Sequence, residues 1–283
     1  MPRRRRSTQR QRRLGAELRR LRIEAGITTD EAGRLLAMDR TRLANIESAI
    51  RNITPERVEV LLNAYVGEET PYTRALIALA TPHRRGWWES YRETLSPGML
   101  DVAEAEWHAR RILTVQSIHV PGLLQTEDYA RAIFAAVLPP VPRLDIEIRV
   151  RHRVERARVL EGPDARPYIG YIHEAALRMQ FGGRGTMKKQ LEALVSASER
   201  PDVTLRAIPF EAGSLPGADH ALLFCEDAVP ELDTAQIDTA HGPGFVHTQP
   251  ELEKYRAHLG WMEKNCLSPQ STRDLMQTLI HEL

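Results

Sequence analysis

The sequence predicts an α+β protein: an all-α N-terminal bundle of about five helices, followed by a larger mixed α/β domain. Three observations carry this expectation. Apolar residues in the N-terminal part recur at three- and four-residue spacing, the period of a helix packed on one face. Beyond about residue 84, strand-like apolar runs alternate with amphipathic stretches. The charge is also divided. Residues 1–60 carry 15 Arg against 8 Asp+Glu, a net of +7. The remainder carries 24 Lys+Arg against 30 Asp+Glu, a net of −6, so the overall +1 hides a basic head on an acidic body. Such a division points to one end meeting a polyanion.

Composition excludes several classes. A chain of 283 residues, 42% hydrophobic and 27% charged, is expected to be globular rather than disordered. No run approaches the roughly 20 consecutive apolar residues of a membrane helix. The basic start, MPRRRRSTQRQRR, has no apolar core behind it and does not read as a secretory signal. Cys225 and Cys266 are too few and too distant for a disulfide framework or a zinc site. A reduced, cytoplasmic protein without membrane contact is expected.

Residues 1–11 read as a basic disordered tail, 12–82 as the helical domain and 83–283 as the body. Leu14, Leu18, Leu21 and Ala25 define a first helix near 12–25, ended by Gly26. Thr28 and Thr29 cap a second, with Asp30 and Glu31 at its positive end. Asp39 caps a third, running to about Ser48, with Leu43, Ile46 and Glu47 on one face. Thr41, Asn45 and Ser48 share the opposite face. Pro55 begins a fourth helix, and Thr70-Pro71 a fifth.

Two short helices joined by a tight turn inside a small bundle follow the helix-turn-helix plan. The segment TTDEAGRLLAMDRTRLANIE (Thr28–Glu47) resembles the lambda repressor-like, or XRE-like, helix-turn-helix family. Gly33, where two helices approach closely, and the closing Ile46-Glu47 are part of the match. The resemblance implies that Arg22 pairs with Glu47. Two positions depart from it: Ala37 and Ala49 stand where Gly is usual, and a Cβ disfavours left-handed backbone. A relaxed turn is therefore expected.

A recognition helix of this kind fits the major groove, with its N-terminal side chains reaching base edges. Arg40, Thr41, Arg42 and Asn45 are the base-reading candidates: Asn suits adenine, Arg suits guanine, and the Thr methyl suits thymine. Thr28 and Thr29 at a helix start, and Arg51 beyond the third helix, are candidates for phosphate contact. One such helix reads only a few base pairs. A homodimer on an inverted-repeat operator in double-stranded DNA is therefore expected.

In the body, Arg84–Leu95 reads as a short helix and Asp101–Arg111 as another, followed by an extended Ile112–Ile118. Pro121-Gly122 makes a turn before a helix capped by Thr126. An arginine-rich helix covers about 143–161, and others lie near 185–199, 250–265 and 269–282. Strand-like runs are 167–172, 203–210 and 220–226. The runs WWESY, EAEWHARRI, VPGLLQTEDYARA and VTLRAIPFEAG resemble a large group of regulators from high-GC Gram-positive bacteria. In these an XRE-like helix-turn-helix precedes a domain formerly of unknown function. The resemblance implies a regulator of development or specialised metabolism, often encoded beside a small partner protein. The alternative it implies is an antitoxin-like protein whose main task is sequestering that partner.

Trp87, Trp88 and Tyr91, with Leu123, Leu124, Gln125 and Tyr129, are the candidates for binding an effector or partner peptide; a packed aromatic core uses the same residue types. Glu104 and His108 lie four apart on a helix, but no further Cys/His set completes a metal site. Gly182, Gly183 and Gly185 lack the Walker lysine, and the glycines around Ser214 do not form a nucleophile elbow. Neither an enzyme nor a cofactor is expected.

Overall fold

The computed structural model describes residues 6–81, 86–217, 220–239 and 241–283. The expected tail residues 1–5 and the expected domain boundary at 82/83 lie outside them. The helical domain consists of α1 (Gln9–Glu24), α2 (Thr29–Leu35), α3 (Arg40–Glu47), α4 (Pro55–Tyr65) and α5 (Pro71–Ala80). Its core is made by Leu14, Leu18, Leu43, Ile46, Val58, Leu61, Leu62 and Leu76, all buried. Helix α1 begins earlier than the expected residue 12. Thr8 closes a capping box with Gln11, so the last part of the expected tail is ordered helix.

The body follows as α6 (Pro97–His108), β1 (Arg111–Gln116), α7 (Glu127–Ala135), α8 (Arg143–Ala157), β2 (Tyr168–His173), α9 (Glu174–Arg178), α10 (Arg184–Ser198) and β3 (Val203–Ile208). It continues through β4 (Leu222–Glu226), β5 (Thr234–Thr239), β6 (Gly242–Val246), α11 (Gln249–Asn265) and α12 (Pro269–Glu282). The strands form one six-stranded sheet in the order β3-β2-β1-β4-β5-β6. The helical crossovers make β1, β2 and β3 parallel, whereas β4, β5 and β6 join antiparallel. Alternating side chains serve two cores. Ile112, Tyr168, Ile172 and Leu205 face Met187, Leu191 and Met276 of α10 and α12. Leu113, Val115, Tyr171 and Phe224 face Leu252, Leu259 and Met262 of α11. The glycine-broken run GPGFV of β6 and the polar alternation of β5 had not read as strands.

The helical domain docks on this body through arginines that the charge count alone assigned to a polyanion. The buried Arg13 guanidinium donates to the carbonyls of Glu231 and His247 and pairs with Glu17 at 3.1 Å. Arg12 binds Asp101 at 2.7 Å, and the same carboxylate accepts the Gln9 amide at 3.0 Å. Val229 and Leu232 of the body complete the apolar core of the helical domain.

Candidate nucleic-acid interface

The turn between α2 and α3 is tight because Gly33 carries no side chain. A Cβ there would lie 2.8 Å from the Met38 carbonyl, so the close approach expected at this position is present. The expected relaxation of the turn is not. Ala37 and Ala49 keep left-handed backbone, with φ of 51° and 54°, at about 1 kcal/mol or more of strain each. The chain holds the turn and the exit of α3 in glycine-like geometry despite the Cβ atoms.

Three contacts fix α3 against the bundle. Leu43 and Ile46 are buried in the core. Arg22 makes a two-pronged bond to Glu47, Nε–Oε1 2.6 Å and Nη2–Oε2 3.0 Å, and its Nη1 also reaches the Ile27 carbonyl. That bond keeps the guanidinium firmly charged. Gly15 of α1 lies so close that a Cβ would meet the Glu47 carbonyl at 2.5 Å. The sequence signal for Gly15 was only its size at a helix crossing, and it was not singled out.

What this clamp leaves outside is the candidate surface. Arg40, Thr41, Arg42 and Ala44 are exposed and Asn45 is half-buried. At 100° per residue, Thr41 and Asn45 lie within 40° of each other, opposite the buried Leu43 and Ile46, with Arg40 and Arg42 flanking. Asp39 caps the helix by accepting the Arg42 amide at 2.8 Å, and its carboxylate stands 3.7 Å from the Arg42 guanidinium. Arg51 is exposed just past α3. The candidates Arg40, Thr41, Arg42 and Asn45 thus share α3, while Arg51 lies past its end and lines the seam with the body.

Thr28 is used differently from the expectation. Its hydroxyl donates to the Glu31 carboxylate at 2.6 Å, and its amide donates to the same oxygen at 2.8 Å. The cap is filled by the protein's own carboxylate, which would repel a phosphate. Of the two threonines only Thr29, half-buried in the first turn of α2, is left with its side chain outside this box.

The second group of candidates lies in the body, largely in its interior. Trp88 and Tyr91 are buried; Trp87 and Tyr91 close on His152, at ring-centroid distances of 5.2 Å and 5.1 Å, while Trp88 packs against Trp87 and His108. His152 is fully buried with neither ring nitrogen bonded, and burial pushes its pKa down to about 3. Leu123 is core, and Leu124 packs beside it. Gln125 stitches its own turn, donating to the Val120 carbonyl at 2.7 Å and accepting from Arg153 at 2.6 Å. Tyr129 is fully buried and accepts the Val120 amide at 3.2 Å, with its phenol pushed up to about 12 by burial. Of these candidates Trp88, Tyr91, Leu123 and Tyr129 are buried, whereas Trp87, Leu124 and Gln125 are half-buried.

Comparison with protein families gives two matches. A helix-turn-helix domain covers residues 13–70, the clamped bundle described above. A Domain of unknown function (DUF5753) covers residues 99–278, most of the chain. The chain belongs to the DUF5753 family. No curated protein and no solved structure matches it. In this DUF5753 protein the helix-turn-helix carries DNA binding and transcription regulation. Among the described residues no helix is long and apolar enough to cross a membrane.

Proposed function

We propose that the chain is a sequence-specific transcriptional regulator in which α3 lies in the major groove of double-stranded DNA. The observation that carries this is the exposure of Arg40, Thr41 and Arg42, with half-buried Asn45 beside them, on one rod fixed from behind by the Arg22–Glu47 pair. Asn45 and Thr41 read base edges, Arg40 and Arg42 add guanine or phosphate contacts, and Arg51 holds backbone. The protein acts as a homodimer on an inverted repeat with half-sites about 34 Å apart, the body supplying the dimer contact. That body also receives the input that sets operator affinity, a small protein from a neighbouring gene or a small molecule, in control of development or specialised metabolism. It catalyses no reaction and works in the cytoplasm, on the nucleoid when DNA-bound.

The test is selection of bound duplexes from a random pool by the full-length protein. The wild type enriches an inverted repeat. Asn45→Ala loses preference at one position of each half-site, about 1–3 kcal/mol of discrimination. Arg42→Ala weakens all sequences alike and lowers the salt slope by about 1. Enrichment that neither substitution changes removes α3 as the reading element. A single protomer on the selected site refutes the dimer.

A further inference from the structure

The seam between the helical domain and the body contains two adjoining hollows of about 330 Å³ each. That volume is at the small end for ligand pockets, and domain junctions are where such pockets concentrate. Thr8, Trp88, Glu89 and Glu104 line both hollows. One of them is walled by four carboxylates, Glu89, Glu93, Asp101 and Glu104, against the guanidiniums of Arg6 and Arg92. Two of these acids are already held: Arg92 binds Glu89, and Arg12 binds Asp101 at 2.7 Å. Glu104 is held less completely: Thr8 hydrogen-bonds its carboxyl and the Arg10 charge faces it, yet one oxygen is left over. Its Oε2 is shut off from solvent without a hydrogen-bond partner, and burial raises the pKa of its carboxyl. A donor brought into the seam gives that oxygen the bond it lacks.

The rest of the wall narrows the kind of donor. Trp88 presents an indole, the aromatic ring that best attracts a cation. Of the arginines around the seam, Arg92 is held by Glu89, and Arg10, whose charge also faces Glu104, lines the second hollow. The second hollow runs past Leu14 and Ile53 to Ile46 and Arg51, behind the recognition helix.

We propose that the seam binds a small organic amine in its protonated form. The ammonium group lies between Glu104 and Trp88, and the apolar body extends along the second hollow toward Ile46. This deepens the reading of the body as the input domain and rests on it. Because both domains contribute walls, the ligand binds the docked arrangement better than any arrangement in which they separate. Its occupancy therefore shifts the position of Arg51 and α3 relative to the body.

The test titrates the full-length protein with tryptamine and phenethylamine by calorimetry, against indole-3-propionate and 3-phenylpropionate as anions of similar shape. The amines bind saturably and at least about ten-fold more tightly than the anions, and Glu104→Gln removes that preference while the thermal melt stays near wild type. Absence of saturable amine binding, equal binding of amine and anion, or an undiminished preference in Glu104→Gln overturns the proposal. DNA selection on the same preparations separates the two failures. DNA selection without an amine preference sinks the site alone, whereas amine binding without DNA selection sinks the regulator reading.

Discussion

The helical domain and the body expose their chemistry in opposite ways. In the helical domain the polar residues of α3 stand outside because the apolar face of that short helix, Leu43 and Ile46, is consumed by the core. In the body the equally conspicuous Trp88, Tyr91 and Tyr129 are inside, since large aromatics bury most area where several elements converge. Residue type alone did not distinguish the cases. Helical phase did so in the first, and no comparable short-range phase existed in the second.

That comparison can be broken at its strongest point first. Arg22→Met leaves Glu47 buried without its cation and is expected to destabilise the helical domain by about 3–5 kcal/mol. The body should melt separately and nearly unchanged; calorimetric scanning of variant and wild type reads both. A single unshifted transition would mean that the clamp contributes nothing.

The body is sharpened by acid. His152 is neutral and buried, with a folded pKa of about 3 against an ordinary value near 6.5. A depressed base binds its proton more readily when unfolded. Its stability contribution is intact above about pH 6.5 and falls toward pH 3, by at most about 1.4 kcal/mol per pH unit. His152→Leu, which replaces two unbonded ring nitrogens by apolar surface, should flatten this loss in urea melts between pH 6 and pH 4. Parallel pH profiles for the two proteins would contradict the assignment. The smallest effect concerns the left-handed alanines. Ala49→Gly should stabilise the helical domain by up to about 1 kcal/mol, the relieved strain being partly offset by the greater freedom of unfolded glycine. A lower melting temperature would mean that the buried Ala49 methyl outweighs its strain.

The same contrast explains what the sequence made legible. Caps at Thr28, Asp39 and Thr126, and the apolar phases of the helices, are local signals, and elements appear where they predict them. Strand β6 was not legible because its glycines and proline carry no alternation; only pairing with β5 makes it a strand. Left-handed Ala37 and Ala49 show that tertiary packing overrode a local preference that pointed to relaxation. Arg12 and Arg13 looked like free basic charge, because their partners Asp101, Glu231 and His247 lie far along the chain. Of the candidate DNA contacts, those that helical phase alone could place came together, whereas Thr28 was claimed by a carboxylate three residues away.

The central claim, that duplex DNA runs along the outer face of α3, is tested most directly by a photo-crosslinking side chain at Ala44, with a second at Phe210 on the body; both positions are exposed. On a selected operator the account predicts cross-links from position 44 to bases of each half-site and none from position 210. Cross-links from position 210 with a silent position 44 would contradict it.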